Sequence, residues 1–175
     1  MRKFWGHLQT ITRHKWKVTM LCFRCGLYKQ GLLHDLSKYS PVEFWSGVTY
    51  FQGNRSPIDR EKEVNGYSLG WLHHKGRNKH HWEYWLDNAF EGIKPLEMPI
   101  PYVVEMFCDR IAATQTYLKD ACTDASAYEY LMNGRSHVVM HANTMALIEH
   151  LLLRVKENGL DSTIDYIRQD ILKNK

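Results

Sequence analysis

The sequence predicts an all-α fold, a single domain spanning residues 1–175 with roughly seven or eight helices. Three observations predict it. Apolar residues recur at steps of three and four over several long stretches. Capping residues and glycines bracket those stretches. No run alternates apolar and polar residues in the way a half-buried strand requires. A chain of 175 residues, 44% hydrophobic and 24% charged, is long and apolar enough to fold around one sizeable core.

Residues 4–28 read as the first helix, with His7, Ile11, His14, Val18 and Leu21 on one stripe. Gly26 lies near its end, and Gly31 opens a short helix over "LLHDLSKY". Ser40-Pro41-Val42-Glu43 is a helix start, with Ser40 as cap, Pro41 at the first position and Glu43 completing a capping box. The helix it starts is "VEFWSGVTYF". Residues 52–67 carry Gly, Pro and Asn breakers without periodicity and read as a long loop, a candidate lid. "SLGWLHH", the break "KGRN" and "KHHWEYWLDNAF" follow, and Pro95, Pro99 and Pro101 mark another connection. "YVVEMFCDRIAATQTYLK" is a helix with Val103, Met106, Phe107 and Ile111 apolar. A short helix around "ASAYEYLM" ends at Asn133-Gly134. Ser136 is placed to cap the long "HVVMHANTMALIEHLLLRVKEN", which Gly159 stops, and Asp161 or Ser162 starts a last amphipathic helix.

No apolar stretch reaches the length of a signal or membrane segment, so the chain is expected to be cytoplasmic with no membrane partner. The net charge of +4 favours an anionic ligand but is too mild for a dedicated nucleic-acid binder. Cys22 and Cys25 have C-x-x-C spacing without a second such pair. With Cys108 and Cys122 they read as buried, reduced thiols.

Ten histidines stand out, because imidazole both ligates metals and transfers protons near neutral pH. The dipeptide His34-Asp35 alone is weak evidence. Its company strengthens it: His14 on the preceding helix, Asp109 among apolar neighbours, and the pairs His73-His74 and His80-His81. An aspartate buried in a helix such as that of Asp109 requires a cation or hydrogen bonds. Blander readings stand beside these. His14 fits a core histidine, Lys38 a surface lysine, and Asp109 a partner of Arg110 or Lys119. His137 and His141, four apart, are expected to pack in or near the core, since Val138 stands where H-E-x-x-H needs glutamate. Trp45, Trp71, Trp82 and Trp85 are also expected in the core, with Trp71 and Trp82 flanking the histidines.

The order of a lone helical histidine, "LLHDLSK", a histidine cluster and a later helical aspartate resembles the HD-domain metal-dependent phosphohydrolases. The resemblance covers roughly residues 8–115, with residues 124–175 expected to pack on that core as further helices. More narrowly, "GLLHDLSKYSP" and "HHKGRNKHH" resemble a group of small bacterial and phage proteins, some carrying a catalase label. No tyrosine here stands out as a haem ligand.

The resemblance implies an HD-type helical bundle in which His14, His34, Asp35 and Asp109 ligate one divalent metal. It also implies candidates for a second metal in His73, His74, His80 and His81. Trp-Glu-Tyr-Trp, not Gly-Tyr-Pro, follows His80-His81, which counts against cyclic-dinucleotide hydrolysis. The donor types suit Mn, Fe, Co, Ni or Zn, as one or two ions. Lys38, Arg77 and Lys79 would meet a substrate phosphate. His74, His80 or His81 would place that phosphate or protonate the leaving group, and Glu43 or Glu105 would orient a ligand histidine. The implied activity is hydrolysis of a phosphate ester, a nucleotide being one candidate. The alternatives are a non-catalytic module binding a nucleotide or partner, and a nucleic-acid-associated protein using residues 73–81, which the modest charge disfavours.

Overall fold

In the computed structural model, which describes residues 1–173, the apolar stripe of the first helix becomes the seam of the molecule. Helix α1 (Arg2–Cys25) buries His7, Ile11, His14, Val18, Leu21, Cys22 and Cys25 along that stripe. Gly26 ends it with φ 86°, a left-handed turn that returns its N–H to the last carbonyls. Helix α2 (Tyr28–Leu33) doubles back onto α1, and Thr19 Oγ1 donates to the Gly31 carbonyl at 2.8 Å. The short helix therefore starts before Gly31 and stops before His34. A left-handed Asp35 (φ 54°) breaks it, and a 3₁₀ turn over Leu36–Tyr39 follows.

Helix α3 (Pro41–Tyr50) starts at the expected proline, but the capping box does not form. The Ser40 hydroxyl has no partner, and Glu43 is drawn instead to His73 and His74. The expected loop over 52–67 contains a helix, α4 (Pro57–Asn65), capped by Ser56 and ended by Gly66 at φ 78°. Its one fully buried residue is Glu61, so no apolar period marks it. Glu61 accepts hydrogen bonds from Ser46 and Ser68, tying α4 to α3 and to the start of α5 (Leu69–Lys75).

A two-stranded antiparallel hairpin, β1 (Leu86–Ala89) and β2 (Gly92–Pro95), was not expected from the sequence. Both strands are four residues long and largely exposed, which leaves no alternation to read. Helix α6 (Ile100–Tyr117), α7 (Ser126–Gly134), α8 (Ala142–Asn158) and α9 (Leu160–Tyr166) complete the fold. A π-helical turn over Ile167–Ile171 extends α9. Residues 174 and 175 of the expected C-terminal segment lie outside the described residues.

The all-α expectation holds, with nine α-helices among the described residues. The core is built by α1, α6, α7, α8 and α9, where Val18, Val104, Phe107, Leu131, Ile148, Leu152 and Ile167 are buried. Two expectations are corrected. Helix α8 begins at Ala142 with His141 as its cap, so His137 lies outside it, exposed, and His141 is half-buried rather than in the core. None of the four tryptophans is fully buried. Trp45 is 58% exposed and Trp71 half-buried outside the core, whereas Trp82 and Trp85, half-buried, do pack against it. Cys22, Cys25 and Cys108 are buried free thiols, and Cys122 is free and half-buried. No helix among the described residues is long and apolar enough to cross a membrane.

Candidate metal centre

Four segments far apart in sequence converge on Asp35. Helix α1 brings His14. The turn after α2 brings His34 and Asp35. The end of α5 and the loop after it bring His74, His80 and His81. Helix α6 brings Glu105 and, one turn later, Asp109. The left-handed conformation of Asp35 turns adjacent side chains inward together, and His34 and Asp35 are both almost wholly buried. Such backbone is uncommon outside glycine and here sits where the polar groups meet.

Two glutamates set the histidine rings. His34 Nδ1 donates to Glu105 Oε1 at 2.9 Å, and His80 Nδ1 lies 3.1 Å from the same oxygen. His74 Nδ1 donates to Glu43 Oε2 at 2.7 Å, and His73 Nδ1 to Glu43 Oε1 at 2.6 Å. A histidine that gives its Nδ1 proton to a carboxylate presents the Nε2 lone pair on its other side. For His34, His74 and His80 that side faces Asp35, with Nε2 at 3.2, 3.3 and 3.5 Å from its oxygens. His14 Nε2 lies 2.9 Å from Asp109 Oδ1 and 3.9 Å from Asp35 Oδ2.

Candidate ligand atoms fall into overlapping groups, each within 4.8 Å of one another. One is His14, His34, Asp35 and Asp109, a second is Asp35, His74, His80 and His81, and a third is His34, His80 and Glu105. Asp35 is common to the first two. The cluster is thus able to hold a metal ion. Of the candidate second-metal histidines, the structure brings in His74, His80 and His81. His73 belongs to none of these groups; its ring sits on Glu43 with the side chain 18% exposed.

This cluster lies within residues 3–154, the span that matches the model of a family of unknown function, DUF5662. The chain belongs to that family. It matches no curated protein and no solved structure.

The electrostatics of this DUF5662 chain fit a cation. Four carboxylates, Asp35, Asp109, Glu43 and Glu105, crowd the cluster; Lys38 forms an ion pair with it, and Lys15 donates to the His34 carbonyl at 2.8 Å. The Lys38 Nζ lies 2.6 Å from Asp35 Oδ2. Burial raises the proton affinity of Asp35 and Asp109, yet the histidines around them, and Lys38 beside Asp35, hold both well below the usual carboxylate range. Burial opposes charge on His34, but Asp35, Asp109 and Glu105 outweigh it and raise its pKa. His81 goes the other way, pushed well down by burial and then by His80 and His74. Several buried polar atoms aimed into the cluster have no hydrogen-bond partner: Nε2 of His34, His80 and His81, and Oδ1 of Asp35, whose other oxygen meets Lys38. Unsatisfied buried groups are rare, and so many facing one another are what a cation would satisfy.

Lys38 borders the cluster and is more open than Asp35, with side chains 25% and 2% exposed. Arg77 and Lys79 are exposed. Arg77 donates to the His73 carbonyl, and Lys79 lies over the rings of Tyr84 and Tyr102. Sequence reasoning missed Asn78, a buried side chain that donates to Ser37 Oγ and to the His74 carbonyl, both at 2.8 Å. The only signal for it was its place in the break "KGRN".

Proposed function

We propose that this chain is a metal-dependent phosphohydrolase of the HD type, with one or two divalent transition ions in the cluster around Asp35. The reading rests on Asp35, a buried carboxylate faced by Nε2 of three histidines, with its Oδ1 left without a hydrogen bond. His14, His34, Asp35 and Asp109 would hold one ion, and His74, His80 and His81 a second, with Asp35 shared. Mixed imidazole and carboxylate donors suit Mn, Fe, Co, Ni or Zn. A bound ion of this kind lowers the pKa of its water and polarises a phosphoryl oxygen.

The chain's own residues supply the rest. Glu105 and Glu43 keep the Nδ1 protons of His34, His80 and His74 in place, so these rings act as donors to metal rather than as proton carriers. Lys38 keeps its charge: burial would lower its pKa, but Asp35 and then Asp109 raise it above the ordinary value. At the more open edge it would meet a substrate phosphate as a point charge.

The test is elemental analysis of protein purified without an affinity tag or chelator. The expected result is about one or two equivalents of Mn, Fe, Co, Ni or Zn, with hydrolysis of phosphate esters that depends on it. The His34→Ala variant should lose the metal while its circular dichroism stays helical. Protein that remains metal-free after reconstitution, or metal retained in His34→Ala, overturns the reading.

A further inference from the structure

Beside the cluster lies a cavity of about 70 Å³ whose walls include Lys38, Glu43 and His74. It therefore opens from the same residues that border the metal centre. Its remaining walls mix methylene and hydroxyl surface: Ile11 from α1, Ile58 and Ser56 from the start of α4, and Tyr117 from the end of α6. Tyr117 and Ser56 line the cavity together, from α6 and the start of α4. Two further walls are bare backbone. A Cβ on Gly47 would fall on the imidazole of His7, and one on Gly70 would come within 3.1 Å of Ser46 Oγ. Side chains already fill the space behind these glycines, so the cavity has no slack there.

The size is decisive. At about 10–15 Å³ per water, such a cavity takes on the order of five water molecules. A nucleoside is larger than that. A three-carbon polyol fits, its carbons against Ile11 and Ile58 and its hydroxyls within reach of Ser56 and Tyr117.

Resting on the phosphohydrolase reading, we propose that the substrate is a phosphate monoester of a small hydroxylated alcohol, of glycerol size, whose alcohol occupies this cavity. The phosphoryl group sits at Lys38 and the cluster. Hydrolysis breaks the phosphorus–oxygen bond to the alcohol. Water gives its oxygen to phosphorus and a proton to the departing alcohol, releasing inorganic phosphate. A nucleotide, whose nucleoside is larger than the cavity, would have to leave part of it outside and should bind less tightly.

The experiment uses the metal-loaded full chain and titration calorimetry with three probes that do not turn over. These are inorganic phosphate and the phosphonate analogues of glycerol phosphate and of adenosine monophosphate. The glycerol analogue should bind at least about tenfold more tightly than the adenosine analogue. Ile58→Phe, which fills the cavity from a half-buried position, should weaken the glycerol analogue about tenfold and leave inorganic phosphate unchanged. Ile58→Ala should narrow the ratio between the two analogues. Equal or tighter binding of the adenosine analogue, or equal weakening of phosphate and glycerol analogue by Ile58→Phe, overturns the small-alcohol assignment while bound metal keeps the reading beneath it. Absence of metal in the same sample overturns both.

Discussion

Two glutamates do the same local job in this molecule with different results. Glu105 holds His34 and His80, which arrive from separate segments and both turn Nε2 toward Asp35. Glu43 holds His73 and His74, which are neighbours on α5. Successive residues of a helix diverge by about 100°, so one of that pair faces the cluster and the other lies at its edge. A carboxylate that fixes two imidazoles is therefore no sign that both are ligands. Whether the second ring enters depends on the backbone that carries it.

The largest expected effect comes from breaking the clamp that serves two inward rings. Glu105→Gln removes the charge that orients His34 and His80 and should lower metal affinity about 10- to 100-fold, the usual range for an outer-shell partner. Glu43→Gln should have a smaller effect, because one of its two histidines lies outside the cluster. Competition with a chromophoric chelator measures both. Equal losses would mean that the two clamps are equivalent and that His73 belongs to the site after all.

The next contrast is within one helix. His74→Ala should reduce the bound metal, because it removes a donor from the group of Asp35, His80 and His81. His73→Ala should leave the metal content unchanged, with at most a small shift in Tm from the lost hydrogen bond to Glu43. Elemental analysis of the two variants side by side decides it; loss of metal in both would erase the distinction between inner and edge histidine.

Part of this arrangement was legible in the sequence. The period that placed Val18 and Leu21 in the core also placed His14 on the buried face of α1, since one helical repeat carries both packing and polar positions. Glu43 or Glu105 was expected as an orienting acceptor once the resemblance had picked out the histidines, and both accept from imidazoles. Helix α4 was not legible, because the residue it buries is Glu61 and its anchor is hydrogen bonding rather than apolar area. The start of α8 was misplaced because Ser136 has the right type for a cap, whereas the chain uses the His141 ring. The shared position of Asp35 depends on its left-handed φ and on the meeting of four distant segments. Neither leaves a local pattern.

A contrast away from the cluster isolates what the carboxylates do. His7 is also buried, but no carboxylate holds it, and its Nδ1 has no partner. Burial, helped by Lys38, lowers its pKa from 6.5 to about 4, opposite to the rise that the carboxylates give His34 and His74. Between those two values the unfolded chain takes a proton at this position and the folded chain does not. Stability that His7 leaves intact above pH 6.5 is therefore lost as pH falls toward 4, and the loss stops below that. A His7→Gln variant cannot titrate there, while every other group titrates in both proteins. Chemical denaturation of the pair across this range should show the native chain losing more stability on acidification than the variant. Parallel profiles would mean that His7 shares in the carboxylate network, and the contrast between clamped and unclamped histidines would fail at its simplest point.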